Sequence, residues 1–210
     1  MRGAHRARAH RRRHHGHMAE SGVDRAFEAV PRENFLPAPS RGAAHLDEPV
    51  ELWARQTCSQ PTTVHRMLTL LDPARGDRVL DVGSGSGWTT ALLAQLVGPS
   101  GAVTGVEVIA DLADWGAQNL AGAAMPWARI HHALPDQLGW PPGAPFDRIL
   151  VSAEADDVPE TLTEQLAEGG RMVIPVHEAM IVVDMREGAP QATRAPGAYR
   201  FVPLRDPGAD

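Results

Sequence analysis

The chain of 210 residues has no lysine; all twenty of its Lys-plus-Arg positions are arginine, a coding bias more than a chemical choice. It has one cysteine, Cys58, which excludes an internal disulfide and reads as a small buried side chain rather than a nucleophile. No apolar run is long enough to span a bilayer, so a membrane partner is not expected. Basic charge is scarce outside residues 1–17. That segment holds six Arg and five His, leaving fourteen basic residues against 26 acidic ones, a formal charge of −12. A surface of that sign lacks the basic footprint that nucleic acid requires. Residues 1–17 also lack the apolar core of a signal peptide and read as a disordered Arg/His-rich extension, with 18–210 as a single domain. The expectation is a cytoplasmic protein, monomeric, with no nucleic-acid or membrane partner.

The richest local signal is Val79-Leu-Asp-Val-Gly-Ser-Gly-Ser-Gly-Trp88, an apolar strand entering a glycine turn and then a helix. Glu107 follows 24 residues after Gly83, at the exit of the next strand, where a carboxylate can accept from both ribose hydroxyls. The spacing is G-x-G-x-G, which disfavours a dinucleotide pyrophosphate and with it a dehydrogenase. Asp81 adds an anion suited to an amine-bearing ligand such as the methionine portion of S-adenosyl-L-methionine.

Around that turn, strands and helices alternate. Val23, Phe27 and Val30 mark a helix that Pro31 stops; Pro61 opens another, with Ser59 as its expected cap and Val64, Met67, Leu68 and Leu71 as its buried stripe. Strands are expected at 78–82, 102–107, 146–151 and 171–175, and helices at 88–97, about 111–120 and 159–166, with 168–170 capping the last. Such alternation implies a parallel sheet covered on both faces by helices. Residues 180–185 and 199–204 read as two further strands with no helix between them, so they should pair antiparallel.

Several separated segments together resemble the protein-L-isoaspartate O-methyltransferase family. They are Ala29-Val-Pro-Arg-Glu-Asn-Phe-Leu-Pro37, Thr57-Cys-Ser-Gln-Pro61, Val79 to Ala91 with the glycine turn, Gly105-Val-Glu107, Ala144-Pro-Phe-Asp-Arg-Ile-Leu-Val151, Pro159 to Leu166, Gly169-Gly-Arg-Met-Val-Ile-Pro-Val176 and Phe201-Val-Pro-Leu204. The resemblance implies an α/β fold: a Rossmann-like, seven-stranded, mostly parallel sheet with an antiparallel C-terminal strand. It implies S-adenosyl-L-methionine as cofactor, contacted by Asp81, Gly83, Ser84, Gly85 and Glu107. It also implies a protein or peptide acceptor carrying an isoaspartyl carboxylate, beside Ser59 with Gln60 adjacent. The product ester then cyclises to a succinimide unaided, which begins repair.

The chain departs from the family pattern around the acceptor. Trp53-Ala-Arg55 stands where the family has a Gly-x-Gly turn; Trp53 packs the loop or meets the substrate, and Arg55 is a solvated cation or a carboxylate contact. Asp136, in Leu134-Pro-Asp136, is one position displaced from a family turn near the adenine edge and is an adenine contact or an ordinary turn residue. His177-Glu-Ala-Met180 replaces a Gly-rich run. These changes keep two alternatives open: a methyltransferase acting on another peptide or natural-product carboxylate, and a degenerate cofactor-binding member without turnover. No metal site is expected, because His131 and His132 are neighbours on opposite faces of a strand.

Overall fold

The computed structural model describes residues 21–205. The expected extension 1–17 and its boundary lie outside them. Helix α1 (Gly22–Ala29) starts with a reciprocal box in which Ser21 Oγ accepts from the Asp24 N–H and Asp24 accepts from the Ser21 N–H. A short hairpin of β1 (Val50–Glu51) and β2 (Thr57–Cys58) precedes α2 (Pro61–Leu71). The stripe Val64, Met67, Leu68 and Leu71 is fully buried, as its spacing requires.

The central sheet then forms from β3 (Arg78–Val82), β4 (Ala102–Glu107), β5 (Ala128–His132), β6 (Phe146–Val151), β7 (Leu166–Val176), β8 (Ala179–Arg186) and β9 (Ala189–Ala195). Its order is β5-β4-β3-β6-β7-β8-β9, parallel up to β7 and antiparallel beyond. The connecting helices are α3 (Trp88–Val97), α4 (Ala110–Gly122) and α5 (Glu160–Thr163). Alternate strand residues serve two cores. Val79, Val103 and Leu150 meet α2, α3 and α4 on one face, while Leu80, Ile149 and Met172 meet Leu162 of α5 and irregular segments on the other. Helix α3 is buried nearly all round, including Leu92 and Leu93, which marks it as central.

Three expectations need correction. The helix expected at 159–166 is one turn, α5, and 168–170 belong to β7 instead of capping it. The outer antiparallel strand is β9, and 199–204 is not a strand of the sheet but an extended segment bridged to Glu154 through Pro203. Strand β9 is an exposed edge carrying Pro190, so it shows no apolar alternation. Its signal was the turn: Glu187 and Gly188 have φ of 54° and 73°, the geometry of a tight two-residue hairpin. Ser59 does not cap α2. Gln60 holds the cap position, and Asp47 reaches in from upstream, accepting from the Thr62 N–H at 2.8 Å and the Thr62 hydroxyl at 2.7 Å.

Candidate active site

The carboxyl ends of β3, β4 and β6 open into a cleft of about 850 Å³, counting its solvent-open part. Gly83, Ser84, Gly85 and Glu107 line it, with Val82, Val106, Leu112 and Leu138 as apolar walls. The turn is held from several sides. The Gly83 and Ser84 N–H groups donate to the Val106 carbonyl, and the Asn119 amide of α4 donates to the Ser86 carbonyl at 3.0 Å. Gly116 of α4 lies so close that a Cβ there would sit 2.5 Å from the Gly85 carbonyl oxygen.

Glu107 is buried and aimed by two backbone donors, Gly85 N–H at 3.0 Å and Ile109 N–H at 3.1 Å. Burial raises its carboxyl above the ordinary value, and those N–H groups oppose the rise. Asp81 is beneath the turn, wholly buried, with Oδ2 accepting from the Thr90 hydroxyl at 2.7 Å and the Thr89 hydroxyl at 2.9 Å. Burial pushes its carboxyl up to about 6, against the pull of those two hydroxyls.

A second cavity adjoins the first, lined by Gln60, Thr63, Glu178, Tyr199 and Arg200 among others, and four residues line both: Thr57, Ser59, Ser152 and Val202. The segment holding Val202 is pinned by backbone bonds, Glu154 N–H to the Val202 carbonyl at 2.8 Å and Leu204 N–H to the Glu154 carbonyl at 2.7 Å. The Thr57–Ser59 wall is pinned by Arg32. Its guanidinium is buried, lies 5.4 Å from the Trp88 ring centroid and donates to the carbonyls of Leu46, Glu48, Cys58 and Ser59. Sequence reading had Arg32 inside a motif but gave it no role, and it missed Ser152.

The sequence-derived residues therefore divide. Gly83, Ser84, Gly85, Glu107 and Ser59 line one cleft, with Asp81 directly beneath. Gln60 lines the second cavity, its amide donating to Asp47 at 3.0 Å. Trp53 and Arg55 lie outside both, at the tip of the β1–β2 hairpin; Trp53 meets Trp115 of α4 edge to face with centroids 4.6 Å apart, and Arg55 is exposed. Asp136 is exposed in a turn closed by the Gln137 N–H and the Leu134 carbonyl, while its neighbours Ala133, Leu138 and Gly139 line the cleft. Burial pushes the Cys58 thiol up, away from nucleophilic reach. His131 stacks on Trp140 and His132 contacts the Val108 carbonyl, so the two point to different neighbours.

The cleft suits an amphipathic nucleoside. Ser84 Oγ lines it buried and without a hydrogen-bond partner, a group that a polar ligand satisfies, and the walls around it are apolar. A Rossmann-like sheet with a G-x-G-x-G turn after β3 and a carboxylate ending β4 defines a methyltransferase that uses S-adenosylmethionine.

Comparison with known proteins narrows the class. The family model for protein-L-isoaspartate(D-aspartate) O-methyltransferase matches residues 5–208, and the chain belongs to that family. The Methanopyrus kandleri protein-L-isoaspartate O-methyltransferase is 42% identical over 195 residues, covering 90% of this chain and 85% of the relative. The Methanothrix thermoacetophila protein of the same name is 43% identical over 185 residues, covering 87% of each. A Plasmodium falciparum structure, described as this methyltransferase in complex with S-adenosyl-L-homocysteine, superposes with a TM-score of 0.78 at 25% identity, covering 90% of this chain and 92% of that one.

Proposed function

We propose that this enzyme methylates the free carboxylate of isoaspartyl residues in damaged proteins. The observation carrying the reading is the pair of adjoining cavities with one shared wall, which lets a cofactor and a polypeptide acceptor meet at a single point. S-adenosylmethionine, when bound, supplies an electrophilic methyl on a sulfonium, which the acceptor oxygen takes as the carbon–sulfur bond breaks toward sulfur.

Little else is needed from the protein. A carboxylate is ionised at neutral pH, so no general base is required, consistent with a shared wall of hydroxyls and an aliphatic side chain. The residues must orient the acceptor for in-line approach at about 3–3.5 Å and keep water out. In this reading Gly83, Ser84, Gly85 and Glu107 hold the nucleoside and Asp81 fixes the turn from below. Ser59 stands beside the acceptor, with Gln60 farther along its cavity. Trp53 and Arg55 would reach an acceptor only outside the pocket, and Asp136 would need its turn to move to reach adenine. We read residues 18–210 as one catalytic domain, acting as a cytoplasmic monomer without nucleic-acid or membrane partners. Among the described residues, no helix is long and apolar enough to cross a membrane.

The test is incubation with methyl-labelled S-adenosylmethionine and an isoaspartyl peptide. A base-labile methyl ester on that peptide, and none on its aspartyl counterpart, is expected. Transfer to other carboxylates in preference would overturn the acceptor, and cofactor binding without transfer would overturn the activity.

A further inference from the structure

Ser152 stands one residue past β6, where its N–H donates to the Val82 carbonyl at 2.9 Å and extends the β3–β6 ladder into the mouth of the cleft. That bond fixes its backbone against the glycine turn; a Cβ on Gly83 would lie 3.9 Å from the Ser152 Cβ. Ser152 lines both cavities, together with Thr57 and Ser59 from an independent part of the chain. Its hydroxyl is buried and has no hydrogen-bond partner. A buried hydroxyl left unpaired is a standing cost to the folded state, and native structures tolerate few of them.

Neighbouring hydroxyls differ from it in burial, in position or in being already bonded. Ser84 Oγ is also unpaired but lines the cofactor cleft alone. The Thr89 and Thr90 hydroxyls are committed to Asp81. The Thr57 and Ser59 hydroxyls also line both cavities, but of the three hydroxyls common to the two only that of Ser152 is both buried and without a partner. An ionised carboxylate is the fitting complement, because it only accepts hydrogen bonds and has room for several.

We propose that Ser152 is a substrate-holding residue whose hydroxyl donates to one oxygen of the acceptor carboxylate, leaving the other oxygen to face the cofactor cleft. The assignment rests on the second cavity being the acceptor pocket. It carries a kinetic signature. Methyl transfer discharges the carboxylate, so the hydrogen bond is stronger to the substrate than in the transition state, and its loss falls on KM more than on kcat. A hydrogen bond to a charged group, once removed, costs roughly 10- to 100-fold in binding.

The experiment compares wild type, Ser152→Ala and Ser152→Thr. Wild type is first assayed for ester formation on an isoaspartyl peptide; if none forms, the acceptor reading falls and the assignment with it. Given wild-type turnover, Ser152→Ala should raise KM for the peptide about tenfold or more, with kcat changed less than about threefold. S-adenosylhomocysteine should bind the variant within about twofold of wild type. Ser152→Thr, which keeps the hydroxyl, should recover most of the KM. Thermal unfolding of the ligand-free proteins is an independent readout: deleting an unpaired buried hydroxyl should leave Tm unchanged or raise it. An unchanged KM, a matching loss of S-adenosylhomocysteine affinity, a loss confined to kcat, or a lowered ligand-free Tm each overturns the assignment while leaving the methyltransferase activity standing.

Discussion

Arg32 donates from Nη2 to the Ser59 carbonyl at 2.9 Å, joining the turn after α1 to the wall between the two cavities. The same side chain holds the carbonyls of Leu46, Glu48 and Cys58, so one buried guanidinium ties three stretches of chain together. An ammonium cannot span that set. Arg32→Lys should therefore destabilise the fold by about 2 kcal/mol and Arg32→Ala by about 3 kcal/mol or more, with unpaired carbonyls as the cause. Urea unfolding measures the first effect. The loss in kcat/KM for the acceptor should exceed the loss in S-adenosylhomocysteine affinity, and a lysine variant with wild-type stability and kinetics would contradict the role.

Asp81 makes a pH prediction. Its carboxyl titrates near the ordinary 3.8 when unfolded and at about 6 in the folded protein, because burial penalises the charge. Below the lower value both states are protonated. Between the two values the unfolded chain gives up its proton and the folded one does not, so stability falls as pH rises through this window and is level above it. The difference amounts to about 3 kcal/mol at 1.36 kcal/mol per pH unit. Asp81→Asn removes this dependence. The stability of the variant relative to wild type should climb between roughly pH 4 and pH 6, and a constant difference across that range would refute the linkage.

Gly116 and the glycine turn pack backbone to backbone. A methyl at Gly116 meets the Gly85 carbonyl oxygen at 2.5 Å, and a methyl at Gly87, where φ is already 85°, meets the Gly116 carbonyl oxygen at 2.7 Å. Neither contact yields by rotating a side chain. Gly116→Ala gains up to about 1 kcal/mol of helix propensity yet should lose about 1–3 kcal/mol net through overpacking. Because the displaced element is the turn itself, calorimetry should find S-adenosylhomocysteine binding weakened about tenfold or more. Wild-type affinity in this variant would show that the turn is not seated by α4.

The β1–β2 hairpin offers opposed changes at adjacent positions. Ala54 and Arg55 hold φ of 54° and 59°, and the turn closes with the Gln56 N–H on the Trp53 carbonyl at 3.1 Å. Ala54→Gly relieves a left-handed residue and should slow amide exchange at Leu52 and Gln56. Trp53→Ala removes an edge-to-face contact with Trp115 worth about 0.5–1.5 kcal/mol and should speed exchange at the same amides. Identical exchange in both variants would mean that the tip does not govern the hairpin.

What could be read from sequence was what local chemistry determines. Strands β3 and β4 and helix α3 begin and end where apolar runs meet glycine or charge, β6 lies between Pro145 and Ser152, and the glycine turn with Glu107 led to the cleft. Features set by distant residues were not legible. Asp47 replaces Ser59 as the anchor of α2 from another segment. Nothing near Gly116 announces that the glycine turn lies against it. Strand β9 has no buried face to leave a pattern. Ser152 looks like any residue after a strand until the second cavity is seen beside the first.

The wall common to the two cavities is drawn from residues as far apart in the chain as Thr57 and Val202. Closing so long a loop comes late in folding, after the local helices and the parallel strands have something to offer it. A nascent chain halted before residue 199 lacks one side of that wall, however well its glycine turn is formed. The wall therefore depends on docking of the Val202 segment against Glu154, separately from the forming of the turn.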